Sequence, residues 1–187
     1  MYRPDCRTCA ECRPLRVLVG EFRRSKSQRR VWNRCAPVFD VTYGPPCTDP
    51  PRPALYEAYR RFQHGDLDGG PTGGEADYRR FLVESCLGGR TFEMRILHEG
   101  RLAGVGILDR LENALSSVYF YFDPAFAAYS LGTFSALCEV ELARKWGFRY
   151  YYLGYYIAPC ASMNYKARYR PCEIRAAGGE GWERLDP

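Results

Sequence analysis

No apolar run in this chain approaches the about 18 residues that a membrane-crossing helix requires. The first residues, MYRPDCRTC, are polar and charged from the start, so no secretory leader is expected either. No segment repeats. Acids are missing where cations gather: none occurs between Glu141 and Glu173. Between Arg13 and Arg34, Glu21 alone opposes eight cations, Arg13, Arg16, Arg23, Arg24, Lys26, Arg29, Arg30 and Arg34. The cysteines number nine, an odd count that, without a leader, argues against a disulfide framework. A soluble protein of the reducing cytoplasm is expected.

What is present fits one folded domain with a small appendage. The 187 residues include 46% hydrophobic and 15% aromatic side chains, and the formal charge is +5. That apolar share is ordinary for a folded globular protein, so disorder is not the default, and the charge favours an anionic partner only weakly. Alternation predicts strands over 15–22, 91–98, 101–111, 114–123 and 148–157. Helical spacing predicts helices over 54–63, 75–86 and 130–147, the last capped by Ser130 and stopped by Gly147. Residues 44–53, GPPCTDPPRP, read as a hinge, 64–74 as a flexible loop, and the chain beyond Arg175 as a glycine-rich tail.

That order is α+β. It matches the GNAT-type acyltransferase core, a mixed, mostly antiparallel sheet with flanking helices. The expected division is a remnant of a cysteine-containing, basic N-terminal domain (1–43), a transfer domain (53–176) and a flexible tail (177–187).

Four groups of residues carry chemistry. A helix beginning near Ser130 presents unpaired N–H groups at Leu131, Gly132 and Thr133, and Gly132 lets a phosphate or carbonyl approach. The plain alternative is an ordinary capped helix; a single glycine is a poor coenzyme A turn. Cys6, Cys9 and Cys12 form a CxxCxxC array that suits zinc or an iron–sulfur cluster. Its fourth ligand would be Cys35, Cys47 or a residue outside this sequence; the alternative is reduced, incidental thiols. Arg23, Arg24, Lys26, Gln28, Arg29 and Arg30, interleaved with Ser25, Ser27 and Trp32, suit nucleic-acid contacts, or else form a solvated face. Last, the strand RYYYLGYYI runs into Lys166, Arg168 and Arg170. Alternation puts Tyr150, Tyr152 and Gly154 on one face and Tyr151, Leu153 and Tyr155 on the other, one of them core.

Taken together, YRPDCRTCAEC, RVLVGEFRRSKSQRR, FDPAFAAYSLGTFSALCEVELAR and YYYLGYYIAPCASMNYKARYRP resemble the arginyl-tRNA–protein transferase family, most closely its bacterial aspartate/glutamate leucyltransferase branch. The last segment is the most specific. The resemblance implies transfer of leucine or arginine from charged tRNA to the α-amine of proteins beginning with Asp or Glu, which marks them for N-degron degradation. It also implies a longer N-terminal domain ahead of YRP, with Met1 inside it. Where family members often carry a lysine beside the methionine, this chain has Ser162.

Aminolysis of an activated ester needs orientation, a neutral amine and an oxyanion partner rather than a strong base or a cofactor. The expected assignments are carbonyl or ribose binding at Ser130–Thr133, Tyr152 and Tyr155 lining the transfer point, and Asp123 holding the ammonium or relaying its proton. Lys166 and Arg168 would meet the acidic first side chain or tRNA phosphate, and the basic 23–34 segment the acceptor stem. The rival readings are an acyl-CoA N-acyltransferase and a non-catalytic tRNA-binding module.

Overall fold

The computed structural model describes residues 11–65, 74–177 and 179–185. Eight strands form one sheet: β1 (Arg13–Leu18), β2 (Asp40–Gly44), β3 (Thr91–His98), β4 (Arg101–Arg110), β5 (Ala114–Phe122), β6 (Tyr150–Tyr156), β7 (Cys172–Arg175) and β8 (Trp182–Arg184), in the order β2-β3-β4-β5-β6-β1-β7-β8. Every pairing is antiparallel except β5 with β6. The helices are α1 (Lys26–Cys35), α2 (Pro51–His64), α3 (Gly74–Tyr78), α4 (Leu131–Lys145) and the single turn α5 (Ala161–Asn164).

Local chemistry explains the hairpins and ends. Glu99 (φ 50°) and Gly100 (φ 77°) form a two-residue turn with both φ positive, the geometry that matches the twist of the flanking β3 and β4. A capping box opens α1: Ser25 Oγ accepts from Gln28 N–H, and Gln28 Oε1 accepts from Ser25 N–H. The basic stretch is thus a helix, which its charge pattern concealed. Pro51 and Pro53 sit in the first turn of α2, where a missing N–H costs nothing.

The helices cover both sheet faces. α1 and α4 pack on one, over a core that includes Leu15, Val17, Met94, Ile96, Leu108, Leu115, Phe134, Leu137 and Tyr151. α2 and α3 lie on the other, where Tyr78 and Leu82 meet Val105, Ile107 and Tyr121. Tyr78 and Tyr121 share a buried hydroxyl hydrogen bond of 2.6 Å. Arg52 of α2 donates to the fully buried Glu93 of β3 and to Asp49, so the buried carboxylate has its countercharge.

Two expectations change here. The boundary expected after residue 43 is not a break in the sheet, because β1 lies between β6 and β7 and β2 extends the far edge. The 177–187 segment is not wholly a loose tail, since β8 pairs with β7 through Glu173–Arg184, Ile174–Glu183 and Arg175–Trp182.

The α+β, GNAT-like core follows from the element order, and its functional feature is a split sheet. β5 and β6 pair only over Ala114–Ser116 against Tyr150–Tyr152. Beyond that, β5 stays with β4 as far as Phe122 and β6 stays with β1 as far as Tyr156. A wedge opens between them, with the start of α4 at its open end.

Candidate acyl-transfer site

The closed end of the wedge is pinned by a carboxylate. Glu139 of α4 accepts from Ser135 Oγ (2.7 Å) on its own helix and from Tyr151 Oη (2.7 Å) on β6. It is also hydrogen-bonded to Ser117 on β5. The residue is 1% exposed. Burial pushes its pKa up, and the three hydroxyl donors oppose that rise without cancelling it. Glu139 therefore ties together the two strands where their ladder stops. Nothing in the helical pattern of 130–147 marked it; a Glu flanked by Leu137, Cys138 and Val140, on the buried side of a helix whose other acid, Glu141, is partly exposed, was the available signal.

The β6 wall is shaped by a bulge. Leu15 pairs with Gly154 but Arg16 pairs with Tyr152, so Leu153 is the extra residue, and Gly154 has φ +95°. The bulge resets the side-chain alternation. Tyr156, rather than Tyr155, returns to the face of Tyr151 and packs on the main core. Opposite Gly154 lies Lys166, whose Cε would stand 3.8 Å from a Cβ at that position. Gly154→Ala is expected to cost about 1–3 kcal/mol through backbone strain, read as a lower denaturant midpoint with unchanged m-value.

Lys166 stands apart from the other described cations by being buried without an ion pair. It is 8% exposed, and its Nζ donates to Tyr155 O (2.7 Å) and Met163 Sδ (2.9 Å). No carboxylate lies within ion-pair reach of it among the described residues. Burial lowers its pKa, and the nearby Cys160 and Cys12 thiols act in the opposite direction. Beside it, Tyr165 is 41% exposed; partial desolvation raises its pKa, and Tyr59 and Glu139 add to the rise.

The start of α4 completes the site. Ser130 is left-handed (φ 60°, ψ 49°) and its side chain does not cap the helix. Thr133 and Phe134 donate back to Ser130 O (2.9 and 3.1 Å). Of the three N–H groups expected to face a ligand, Thr133 is thus already engaged, and of the other two Gly132 alone lies on an exposed residue. Leu131 is buried and Gly132 exposed, with open space where a Cβ would stand. α1 runs antiparallel alongside. Arg34 donates to Tyr129 O (3.0 Å) near the α4 start, and Arg24 pairs with Glu141 (2.9 Å) towards its end.

The remaining expected residues divide. Lys26, Arg29 and Arg30 are exposed on α1, and Lys26, Arg30 and Arg34 recur every fourth residue as one stripe. Arg23 is exposed and donates to Gly20 O and Phe22 O. Arg24 instead stacks on Trp32, 3.6 Å from its ring centre. Gln28 is buried; beyond the capping box its Nε2 donates to Arg168 O (3.2 Å), so it joins α1 to the 165–168 turn and does not face an RNA. Arg168 itself is exposed. Asp123 Oδ1 accepts from Ala125 N–H (2.9 Å) and caps the turn at 124–129.

Tyr152 lies on the face away from α4, packed on Trp182 and sharing that face with Arg16, which lies over Tyr150. The bulge turns Tyr155 to that face too, leaving its carbonyl to hold Lys166. Tyr152 and Tyr155, expected to line the transfer point, thus stand together on the face away from α4, while Gly154, Lys166 and Tyr156 lie along the β6 edge of the wedge. Cys6 and Cys9 lie outside the described residues. Cys12 is half-buried immediately before β1, and no cluster of three His, Cys, Asp or Glu side chains suited to a metal occurs among the described residues.

A split sheet with a helix start at its mouth agrees with the GNAT-like fold expected from the element order, but a fold names neither reaction nor donor. The family described as arginine-tRNA-protein transferase, C terminus, matches residues 52–176, and its N-terminus counterpart matches residues 1–30. The chain belongs to this family. It is an aminoacyltransferase by that membership. A Chromobacterium violaceum protein named aspartate/glutamate leucyltransferase is 38% identical over 178 residues, spanning 95% of this chain and 72% of the relative. An Acinetobacter baumannii protein of the same name is 35% identical over 192 residues, spanning 100% and 67%.

Among solved structures, the C-terminal DUF2156 domain of an Agrobacterium fabrum protein superposes with a TM-score of 0.62 at 13% identity, covering 92% of this chain and 58% of that one. FemX superposes with a TM-score of 0.52 at 9% identity, covering 76% and 52%. These likenesses bear on the fold alone. No helix among the described residues is long and apolar enough to cross a membrane.

Proposed function

We propose that the chain moves leucine from charged tRNA to the α-amine of proteins whose first residue is Asp or Glu, in the cytoplasm, feeding N-degron degradation. The name shared by relatives of 35–38% identity supports leucine and the acidic acceptors. The observation that carries the reading to this chain is Lys166, a buried cation at the wedge without a protein carboxylate. An acidic first side chain would supply the missing countercharge, and Arg168 stands exposed two residues on.

The chemistry asks little of the protein. The amine nitrogen attacks the ester carbonyl, the new C–N bond forms, the C–O bond to the terminal ribose breaks, and the amine proton leaves with that oxygen. A free α-amine has a pKa of about 7.7–8.0, so an appreciable fraction is already neutral at cellular pH. The exposed Gly132 N–H would receive the developing oxyanion or the ribose. Asp123, with one oxygen committed to its cap, keeps the other for the incoming ammonium. Lys26, Arg29, Arg30 and Arg34 would carry the acceptor stem to the start of α4. A zinc ion or iron–sulfur cluster at Cys6, Cys9 and Cys12 belongs to the same proposal as a structural element; no transfer step passes through it. Metal and acid-labile sulfide analysis of the purified protein tests it.

Label transfer tests the reaction. Purified protein is mixed with leucyl-tRNA or arginyl-tRNA and peptides starting with Asp, Glu, Ala or Lys. Label on the Asp and Glu peptides from leucyl-tRNA is expected. Label from arginyl-tRNA would reassign the donor, and binding of tRNA without transfer would favour a tRNA-binding module. Replacing Lys26, Arg30 and Arg34 together by Ala is expected to weaken tRNA binding and to flatten the slope of log affinity against log salt by about 2–3.

A further inference from the structure

At the far end of α4 an open cleft of about 580 Å3 is bounded by Arg90, Arg110, Leu111, Glu112, Trp146 and Phe148. Trp146 is 39% exposed, although Phe92 and Phe148 hold its ring with centroid distances of 5.5 Å each. A large, immobilised indole open to water is a stacking platform. The guanidinium of Arg110 stands 5.8 Å from its centre. Arg90 and Arg110 are exposed, and neither pairs with a carboxylate among the described residues. Glu112 is the single acid of the lining.

The plainest account of cations at a helix end is compensation of the helix dipole. It covers Arg144 and Lys145, in the last turn of α4. It does not cover Arg90, just before β3, or Arg110, at the end of β4, which other elements bring to the same cleft. Nor does it explain an aromatic floor.

Position supplies the second argument. α1 runs antiparallel to α4, so its exposed cations extend from Arg34 at the α4 start back through Arg30 and Lys26. Exposed Lys145 borders the same hollow as Trp32 and Ala36 of the α1 end, one residue before Trp146, and exposed Arg149 follows three residues after it. The 15 residues of α4 put about 22 Å between the transfer site and the cleft, well within the reach of one RNA arm. A lining of rings and guanidinium groups with one leucine favours a base and its phosphates over a peptide, which would need backbone partners or an aliphatic pocket.

We infer that the Trp146 cleft binds an unstacked nucleotide of the donor RNA, its base against Trp146 and its phosphates on Arg90 and Arg110. This rests on the tRNA-donor reading above. Binding of uncharged tRNA by fluorescence anisotropy, over a series of salt concentrations, tests it on the full chain. Trp146→Ala is expected to weaken affinity about tenfold and Trp146→Phe to retain most of it, since both rings stack. An Arg90→Ala/Arg110→Ala double variant, at exposed positions that do not threaten folding, should flatten the salt slope by about 1.5–2.

Wild-type affinity and slope in the double variant would overturn the inference. So would equal losses for Trp146→Ala and Trp146→Phe accompanied by lowered thermal stability, which would make Trp146 a packing residue. Unchanged tRNA affinity with loss of binding to the protein acceptor would also overturn it, assigning the cleft to a peptide. A wild-type protein that binds no tRNA at all would instead bring down the donor reading itself, so the two failures are distinguishable.

Discussion

Lys166→Met is expected to lower kcat/KM for peptides beginning with Asp or Glu by about a hundredfold or more, while the folded protein becomes no less stable. Removing one partner of a buried, hydrogen-bonded charge pair typically costs about 2–5 kcal/mol of binding, which is about 30-fold to several thousandfold. In the free protein the same lysine is a liability. It is buried against Gly154, donates to a carbonyl and a thioether, and lacks a carboxylate among the described residues. Methionine keeps the volume and removes the desolvated charge.

The pH dependence separates these effects. Burial holds the folded pKa of Lys166 below its ordinary value of 10.5. The unfolded chain therefore takes up the proton more readily, and the wild type gains stability as pH rises from the folded pKa towards 10.5. That stability is lost again as pH falls through the folded pKa. The variant lacks this gain, so the two denaturant midpoints converge at alkaline pH. A variant that unfolds more easily at every pH, with transfer to all acceptors lost alike, would make Lys166 a structural residue and remove the acceptor role.

The regular parts of this fold were legible because their signals are local. β3, at Thr91–His98, lies where alternation placed it, and β4, β5, α4 and β6 follow within a few residues at each end. A Glu-Gly turn and a capped amphipathic run carry their own punctuation. α1 was hidden because six cations between Arg23 and Arg34 obscured a capping box, and β8 because three residues among glycines gain strand geometry only from β7. The site was less legible for a physical reason. One bulge at Leu153–Gly154 moves Tyr155 to the opposite face, and no two-residue periodicity announces a bulge. Lys166 was visible as a cation in an acid-free stretch, but its burial is a tertiary fact. Glu139 was invisible as anything but a polar interruption, because its partners Ser117 and Tyr151 come from strands on either side of it in the sequence.

That makes Glu139 the sharper test of how the wedge is built. Glu139→Ala would leave the Tyr151 hydroxyl buried without its acceptor and open a void between α4 and the sheet. An orphaned buried hydroxyl costs about 1–3 kcal/mol, and the lost packing adds to it. A total loss of about 3–4 kcal/mol is expected, which for a chain of this size is a fall in Tm of about 6–16 °C. Glu139→Gln should cost far less, because its amide oxygen can still accept from Tyr151 and the serine hydroxyls can turn to accept from its NH2 group.

The charge of Glu139 makes a further distinction between the two variants. Its folded pKa is raised by burial, so the folded wild type holds that proton more tightly than the unfolded chain does. Wild-type stability then declines as pH rises from the unfolded carboxylate value towards the folded one, and the neutral glutamine does not share this decline. Glu139→Gln should therefore gain on the wild type as pH is raised above the ordinary carboxylate value of about 4.3. If the ionised carboxylate is instead indispensable to the pin, the glutamine variant will fall as far as the alanine one. In that case the strands at the closed end of the wedge are held by charge, and transfer activity will be lost together with stability in both.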